Sequence, residues 1–223
     1  MIKAVIFDMY ETLITLLEGQ PCFGAQLASC AGIAEKEFRK IWNPSEVDRT
    51  LGKVTFEEVI EKILRENGCY TAEKLDRIVT IRRQSREEAF ERIHSGILPM
   101  LDALKTKGIL IGLISNCYSE EAEAIRRSIL YPFFDAVCLS YDEGVCKPDP
   151  EIFRRCVERL GVRADECLYV GDGGSDELPT AEAFGMKAVQ ALWYLKDGVS
   201  QSMVRLPDFD GVGTPSGIPD LIG

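Results

Sequence analysis

Polar side chains able to do chemistry stand where apolar runs end, or in the loop after such a run: Asp8, Ser115 with Asn116, Lys147, and Asp172. Two carboxylates suit a hard divalent cation such as Mg²⁺, which takes oxygen ligands and keeps several waters. A hydroxyl, an amide and an ammonium group suit an anion beside that cation. The set therefore predicts a phosphoryl group held by a metal ion and a lysine, with one carboxylate as the nucleophile.

Parallel strands would bring these scattered residues to one edge of a sheet. Residues 4–7 are apolar without polar alternation, which is typical of a strand buried on both faces. Beyond Gly96 strand and helix patterns alternate, which indicates right-handed crossovers and a doubly wound parallel sheet of the α/β class. Ligands bind outside the carboxyl ends of the strands in such sheets. Five strands are predicted, near residues 2–7, 109–114, 136–139, 167–170 and 187–192.

The segment between the first strand and the later ones has helical periodicity throughout. Four amphipathic helices without an intervening strand predict a small helical bundle at 16–94, inserted as a unit into an α/β core formed by 1–15 and 95–223. The proline- and glycine-rich tail from Leu206 onwards is predicted to be a surface loop with a terminal turn.

Composition limits the partners. A net charge of -10 argues against nucleic acid, because binding its phosphates requires a basic face. An anionic small molecule is compatible with that charge where local positive charge offsets the overall field. The opening apolar run is too short for a secretory or membrane segment, and the eight cysteines form no C-x-x-C pair. We therefore expect a cytoplasmic protein with reduced thiols, without a zinc site and without a membrane partner.

Four segments occur in the order of the motifs of haloacid dehalogenase (HAD) superfamily hydrolases. They are FDMYETL at 7–13, LISN at 113–116, GVCKPDP at 144–150 and VGDGGS at 170–175. Each is weak alone, but the ordered set resembles that superfamily across essentially the whole chain, including the helical insertion after the first motif. The resemblance implies a Rossmann-like α/β core, a helical cap and hydrolase activity.

The resemblance also gives each polar residue a role. Asp8 would be the nucleophile that forms a covalent aspartyl intermediate, and Lys147 would neutralise the charge that Asp8 shares with the phosphoryl group. Ser115 would bind a phosphoryl oxygen, and Asn116 would help to order the loop. The expected activity is that of a Mg²⁺-dependent phosphatase acting on a small phosphorylated metabolite through an aspartyl phosphate at Asp8.

A Mg²⁺ site follows from the same resemblance. Asp172 would hold the ion together with the carboxylate of Asp8 and the main-chain carbonyl of Tyr10. A further acidic contact is expected just downstream, where Asp176 and Glu177 both have usable spacing. Of these two we favour Asp176, in contact with the ion directly or through water.

The second position after the nucleophile departs from the phosphatase pattern. Phosphatases of the superfamily usually carry an aspartate there, followed by glycine, whereas this chain has Tyr10 and Glu11. A phenol with a reference pKa of about 10 is a weak acid and a poor base at neutral pH, which would cost roughly 10²–10⁴-fold on poor leaving groups. Either Glu11 turns inward to replace the missing carboxylate, or the substrates have good leaving groups, as acyl and aryl phosphates do.

Two other functions compete with a phosphatase. Tyr10 resembles the tyrosine of the true 2-haloacid dehalogenases, whose halide leaving group needs no proton. Those enzymes have no use for a metal and lack the glycine–aspartate pair that this chain keeps at Gly171 and Asp172, which favours the phosphatase. The third interpretation is a ligand-binding or regulatory protein that has lost efficient turnover.

Charged residues elsewhere receive simpler interpretations. Arg49 and Lys53, between predicted cap helices, are candidates to meet an anionic substrate, although solvation is the simpler explanation. Arg82 and Arg86 are interpreted as part of a solvated helix face. The lone His94 is interpreted as structural. The sequence specifies neither the substrate nor the oligomeric state.

Overall fold

A wholly parallel β-sheet of six strands forms the centre of the protein. The computed structural model describes residues 1–19, 22–196 and 203–222. The strands are β1 Ala4–Phe7, β2 Leu110–Ser115, β3 Ala136–Leu139, β4 Cys167–Gly171, β5 Lys187–Ala191 and β6 Gly211–Val212. Their order across the sheet is β3-β2-β1-β4-β5-β6. The predicted α/β class with a Rossmann-like parallel sheet is confirmed.

Strand β1 lies in the middle of the sheet and is buried on both faces. Val5 is in register with Ile111 of β2 on one side and with Leu168 of β4 on the other. Val5 and Phe7 belong to one apolar cluster, whereas Ala4 and Ile6 belong to a second cluster on the opposite face. Because helices cover both faces, every side chain of the strand is apolar, as the sequence pattern indicated.

Five helices follow β1: α1 Gly24–Ala31, α2 Glu35–Trp42, α3 Glu46–Thr50, α4 Phe56–Glu66 and α5 Ala72–Ala89. Helices α1, α2, α4 and α5 share an apolar core that includes Phe38, Phe56 and Ile78. Thr55 begins α4 with a capping box, because its hydroxyl accepts the N–H of Glu58 while the Glu58 carboxylate accepts the N–H of Thr55. The sequence analysis found four of these helices, since α3 is too short for a periodic pattern. The cap boundaries stay a prediction.

The remaining helices pack against the sheet or join its strands. They are α6 Ile97–Thr106, α7 Ser119–Arg127, α8 Ser140–Glu143, α9 Pro150–Leu160 and α10 Glu177–Ala183, with 3₁₀ turns at Tyr131–Phe133, Ala164–Glu166, Gly174–Asp176, Pro215–Gly217 and Pro219–Ile222. Asp149 caps α9, which begins with Pro150, and Gly161 ends it in the left-handed conformation. Across the described ranges, every helix is too short or too polar to cross a bilayer.

The tail contains a strand that the sequence analysis assigned to a surface loop. Gly211 and Val212 form β6, which pairs in parallel with Gln190 and Ala191 of β5. The prediction of five strands and a looped tail was therefore wrong at this point. A two-residue strand that contains glycine is too short to show either periodicity or β-propensity, so the sequence carried no signal for it.

Candidate active site

Three carboxylates meet at the carboxyl edge of the sheet. Asp8 directly follows β1 and Asp172 directly follows β4, and these strands are neighbours in the sheet. Glu177 begins α10, and one carboxylate oxygen from each of the three residues lies within 4.8 Å of the other two. Parallel pairing thus brings together Asp8 and Asp172, which are 164 positions apart in the sequence. The edge is where ligands bind in open parallel sheets.

A single lysine neutralises part of this negative charge. The Nζ atom of Lys147 lies 2.5 Å from Oδ1 of Asp8 and 2.5 Å from Oε2 of Glu177, and it is 3.3 Å from the hydroxyl of Tyr169. Burial by itself would lower the pKa of Lys147, but the adjacent charges of Asp8 and Glu177 outweigh burial and raise that pKa above its ordinary value. The ammonium group therefore stays positive at neutral pH.

The pKa values of Asp8 and Asp172 lie far above the ordinary range of aspartate. Burial raises the pKa of Asp8 to about 8; Lys147 opposes the shift, and the charges of Glu177 and Asp172 add to it. Burial, followed by repulsion from Glu177, likewise raises the pKa of Asp172 to about 7. One ammonium group does not offset three clustered carboxyls. The cluster therefore has the electrostatic character of a cation site.

The hydrogen bonds show which oxygens can accept a metal ion. Oδ1 of Asp8 accepts from Lys147, and Oδ1 of Asp172 accepts from the N–H of Gly174 at 2.9 Å. Within the described residues, the second oxygen of Asp8 accepts no hydrogen bond, whereas the carboxyl of Asp172 lies within hydrogen-bonding reach of the carboxyl of Glu177. Both oxygens of Glu177 are engaged, by Gly173 and by Lys147. The donor set therefore fits a hard divalent cation such as Mg²⁺ between Asp8 and Asp172.

Glu177, and not the favoured Asp176, is the acidic residue in this cluster. Ser175 and Asp176 both have positive φ angles, 54° and 49°, which are uncommon for residues other than glycine. This left-handed turn leaves Asp176 exposed at the start of α10 and places Glu177 inside, fully buried. Aspartate adopts this conformation more often than most residues other than glycine, but the spacing of the acidic residues alone could not reveal the turn.

Asn116 connects the loop after β2 to the loop that carries Lys147. Its side-chain amide donates to the carbonyl of Lys147 at 2.9 Å, and its amide oxygen accepts the N–H of Lys147 at 2.8 Å. The same amide lies 3.4 Å from the hydroxyl of Ser175. Ser115, at the end of β2, is fully buried, and its hydroxyl makes only a long contact with the carbonyl of Asn116, 3.5 Å. Asn116 thus holds two loops of the site together.

The two residues that depart from the phosphatase pattern point in different directions. Glu11, at a φ of 57°, accepts from Thr15 at 2.5 Å and from the N–H of Leu16 at 2.9 Å, so its carboxylate is engaged away from Asp8. The hydroxyl of Tyr10 is buried and has no hydrogen-bond partner in the described part of the chain. Burial, reinforced by Glu121, raises the pKa of Tyr10 above its ordinary value, so the phenol stays protonated.

A buried ion-pair network lies where the sequence analysis placed a solvated face, and that interpretation was wrong. Arg82 of α5 pairs with Glu120 at 2.8 Å and with Glu121 at 2.9 Å, both on α7. Arg86 pairs with the same oxygen of Glu121 at 3.0 Å. Both arginines are 2% exposed, and both also donate to the carbonyl of Cys22. Helix periodicity alone could not reveal partners that lie more than thirty residues away.

The remaining candidates have contrasting positions. Lys53 is exposed and pairs with Asp48. Arg49 is buried, so for this residue solvation is the wrong explanation. Nδ1 of His94 accepts the N–H of Gly96 at 3.0 Å, and the main-chain N–H of His94 donates to the hydroxyl of Tyr194. These hydrogen bonds order the loop around His94.

A cleft of about 500 Å³ separates the helical segment from the sheet edge. From the sheet side it is lined by Tyr10, Asn116 and Ser175, which belong to the loops of the carboxylate cluster. From the helical side it is lined by Trp42 and Arg49. We call this space the cap–core cleft. It is large enough for a small metabolite.

Comparison with known proteins agrees with this architecture. The parallel sheet places the three carboxylates and Lys147 at its carboxyl edge, where ligands bind in sheets of this kind. The family model for haloacid dehalogenase-like hydrolases matches residues 2–185. The chain belongs to this family and is a hydrolase, so the family resemblance found in the sequence is confirmed.

Curated relatives and solved structures cover nearly the whole chain. Glyceraldehyde 3-phosphate phosphatase of Methanopyrus kandleri is 26% identical, with 100% of this chain and 97% of that protein covered. Phosphoglycolate phosphatase of Rhodospirillum rubrum is 28% identical, with 97% and 92% covered. A HAD phosphatase structure from Thermococcus onnurineus has a TM-score of 0.67 at 21% identity, and a 2-haloacid dehalogenase structure from Pseudomonas syringae pv. Tomato DC3000 has 0.68 at 22%; each comparison covers 100% of this chain and 98% of the other. The two structures show a shared fold alone.

Proposed function

We propose that this protein is a Mg²⁺-dependent phosphatase that acts on a small phosphorylated metabolite through an aspartyl phosphate at Asp8. The observation that carries the proposal is the cluster of Asp8, Lys147 and Asp172, in which two clustered carboxylates lie beside a buried ammonium group. The names of the curated relatives support phosphate-ester hydrolysis. The net charge of -10 supports a small substrate over nucleic acid.

Asp8 and Asp172 are the residues that would hold Mg²⁺, with the carbonyl of Tyr10 as a third ligand. When bound, the ion supplies positive charge that stabilises the phosphoryl oxygens and keeps both aspartates ionised. Glu177 serves in this proposal as a positioning residue, because its two oxygens hold Lys147 and the N–H of Gly173. Asp176, exposed to solvent, has no part in the proposed site.

The residues of this chain perform two displacements at phosphorus. A carboxylate oxygen of Asp8 attacks phosphorus, the new O–P bond forms, and the bond to the leaving oxygen breaks with its electron pair. Water then attacks the same phosphorus, the bond to Asp8 breaks, and inorganic phosphate leaves with both protons of that water. Lys147 stabilises the charge shared by Asp8 and the phosphoryl group, while Ser115 offers a hydroxyl to a phosphoryl oxygen.

Proton transfer to the leaving group depends on Tyr10. Its phenol stays protonated and unpartnered, so it can donate a proton or a hydrogen bond but cannot act as a base at neutral pH. The carboxylate of Glu11 is engaged by Thr15, so the hypothesis that it replaces the missing aspartate has no support in the geometry. We therefore propose substrates with good leaving groups, such as acyl or aryl phosphates.

The eight cysteines are free thiols, which supports the cytoplasm as the compartment.

One observation favours a second function. Tyr10 occupies the position at which phosphatases of the family usually carry an aspartate that protonates the leaving group. A halide leaving group needs no proton, so this replacement supports a metal-independent 2-haloacid dehalogenase as the alternative. The test incubates the protein with p-nitrophenyl phosphate and Mg²⁺, with and without EDTA, and in parallel with 2-chloropropionate, measuring phosphate and chloride. Phosphate release that EDTA abolishes supports the phosphatase. Chloride release that persists in EDTA supports the dehalogenase. Binding of either compound without release of phosphate or chloride supports a regulatory protein.

A further inference from the structure

A glutamine lies buried beside the strand that leads to the carboxylate cluster. Gln190 belongs to β5 and is in register with Gly171, the last residue of β4, which directly precedes Asp172. Gln190 is 0% exposed. Burial of an amide is costly unless its donors and its acceptor oxygen are hydrogen-bonded. The partners of the Gln190 side chain therefore show which parts of the chain it holds together.

The donor and acceptor atoms of the Gln190 amide all have partners. Nε2 donates to the carbonyl of Asp172 at 2.8 Å and to the carbonyl of Val204 at 2.7 Å. Oε1 accepts the N–H of Leu206 at 2.9 Å and Nη1 of Arg205 at 3.0 Å. Since two carbonyls face one end of the amide and two donors face the other, this orientation is the one that satisfies all four partners. The amide joins the loop after β4 to residues 203–212, which we call the tail segment.

The peptide group between Asp172 and Gly173 is hydrogen-bonded at both ends. Its carbonyl accepts from Gln190, and its N–H donates to Oε1 of Glu177 at 3.0 Å. The other carboxylate oxygen of Glu177 accepts from Lys147, which contacts the proposed nucleophile. A chain of hydrogen bonds therefore runs from the tail segment, through Gln190 and this peptide group, to the centre of the carboxylate cluster.

The tail segment also packs directly on this peptide group. Gly173 has a φ angle of 96°, and a Cβ atom added to it would lie 2.5 Å from Cδ1 of Leu206. Met203 is buried, and Gly211 of β6 is in register with Gln190. The tail segment is therefore anchored in the core on both sides of Leu206. It encloses the loop of Asp172 although it belongs to none of the four motif segments.

We propose that Gln190 is a positioning residue for the Mg²⁺ site and that, through Gln190, the tail segment and the ion stabilise each other. The proposal rests on the proposed function and adds to it a segment that the motifs do not include. A fixed peptide group after Asp172 limits the directions in which its carboxylate can point, which lowers the cost of ordering this ligand when the ion binds. Because coupling between two sites is reciprocal, binding of the ion should also order the tail segment.

The first experiment compares Gln190→Met with the wild type. Methionine keeps a similar volume without a charge and removes all four hydrogen bonds. The dissociation constant of Mg²⁺, measured by titration calorimetry, is expected to rise roughly 10–100-fold, as when an outer hydrogen-bond partner of a metal ligand is lost. Turnover of p-nitrophenyl phosphate should fall at low Mg²⁺ concentration and recover at saturating Mg²⁺, which a general loss of structure would not allow.

Val189→Ala is the matched control for this variant. Val189 precedes Gln190 in the same strand, but its side chain packs in the apolar cluster that contains Val5 and Phe7. The substitution should lower the free energy of unfolding, because it removes buried methyl groups, while the dissociation constant of Mg²⁺ stays at the wild-type value. A weaker Mg²⁺ affinity in Val189→Ala equal to that in Gln190→Met would show that loss of stability alone explains the effect.

The second experiment measures hydrogen–deuterium exchange of the wild type with and without Mg²⁺, by mass spectrometry of proteolytic peptides. The N–H of Leu206 is the reporter, because it donates to Oε1 of Gln190. Mg²⁺ should slow exchange in peptides from 170–177 and also in peptides that contain the N–H of Leu206. In Gln190→Met the slowing in the tail segment should disappear.

The outcomes separate this inference from the proposed function. A wild-type protein that binds no Mg²⁺ would overturn the proposed function and the inference with it. Mg²⁺ binding without any change of exchange at Leu206 would overturn the coupling alone, and so would a wild-type dissociation constant in Gln190→Met. The exchange of the wild type decides the question even if the Gln190 variant fails to fold.

Discussion

The Nζ atom of Lys147 lies 2.5 Å from a carboxylate oxygen of Asp8, although the two residues are 139 positions apart in the chain. The same ammonium group contacts Glu177, which begins α10. All three side chains are buried, with exposures of 7% or less. The contact ties the proposed nucleophile to the loop that carries Lys147 and to helix α10, which come from distant parts of the sequence. Its geometry is therefore a property of the sheet edge as a whole.

Replacing Lys147 by methionine should abolish most turnover. The variant removes the positive charge that faces Asp8 and the phosphoryl group, so kcat is expected to fall roughly 10²–10³-fold, as when one preorganised stabilising donor is lost. The measurement is phosphate release from p-nitrophenyl phosphate under saturating Mg²⁺. Lys3→Met is the control, because Lys3 is exposed and pairs with Glu166 before β4, away from the site. Turnover of the Lys147 variant close to that of the wild type would contradict the assignment.

Binding of Mg²⁺ should release protons. The pKa of Asp8 is raised to about 8 and that of Asp172 to about 7, so both are partly protonated at pH 7, and the ion must displace those protons to bind the carboxylates. Affinity for Mg²⁺ should therefore rise from pH 6 to pH 8 and level off above the higher pKa. Titration calorimetry at pH 7 in buffers of different ionisation enthalpy should show release of roughly one proton per ion.

Asp172→Asn provides the control for this proton count. The variant removes one of the two titrating groups, so it should release fewer protons and bind Mg²⁺ more weakly. An affinity that stays flat with pH, or binding without proton release in the wild type, would show that the two aspartates are not the ligands.

The buried pair of Arg82 and Glu120 should be strongly coupled. Arg82 pairs with both Glu120 and Glu121, so Arg82→Met removes the arginine partner of the buried Glu120, whereas Glu120→Leu leaves Arg82 paired with Glu121. Arg82→Met is expected to lose roughly 3–5 kcal/mol of unfolding free energy and Glu120→Leu less, and the double variant should lose less than the sum of the two. Urea denaturation monitored by circular dichroism measures all three.

An exposed arginine of the same helix, α5, gives the matched control. Arg83 pairs with Glu57 at 2.9 Å, but the side chain of Arg83 is 44% exposed. Arg83→Met should therefore cost less than roughly 1 kcal/mol. Additive losses in the Arg82–Glu120 cycle, or an Arg82 effect no larger than that of Arg83, would show that the buried network does not act as a unit.

The sheet and the position of the proposed nucleophile followed from the sequence because their signals are local. Apolar runs without alternation, such as residues 4–7, indicate buried parallel strands, and the residue after such a strand must lie at the ligand-binding edge. Lys147 could be placed only in the loop after the third predicted strand, whose path no periodicity describes, and its specific role came from the motif resemblance. Strand topology therefore decided which residues of the site could be placed from the sequence.

Features determined by tertiary contacts escaped the sequence analysis. The positive φ angles of Ser175 and Asp176 exchange which acidic residue faces the cluster, and the spacing of the acidic residues does not indicate that turn. Arginine is a residue type typical of exposed helix positions, and it is the packing of α5 against α7 that buries Arg82. Arg49 likewise is enclosed by rings from two separate parts of the chain.

Restoring an aspartate at position 10 should widen the range of leaving groups. The account gives Tyr10 no capacity as a base, so wild-type kcat/KM should fall steeply as the leaving-group pKa rises from aryl to alkyl phosphates. Tyr10→Asp is expected to raise turnover of alkyl phosphates by up to roughly 10²-fold relative to Tyr10→Asn. Asparagine has the same shape as aspartate but lacks its ionisable group, so it is the matched control. Equal rates for the two variants, compared over a series of phosphate esters, would rule out a missing acid/base group as the limitation.

The most direct measurement is acid quenching of a single turnover, followed by mass spectrometry of the peptide that contains Asp8. We expect one added phosphoryl group on Asp8, present only with Mg²⁺, absent in Asp8→Asn, and lost on treatment with base as expected for an acyl phosphate. Phosphate release at the wild-type rate from Asp8→Asn, or a phosphoryl group found on another residue, would contradict it.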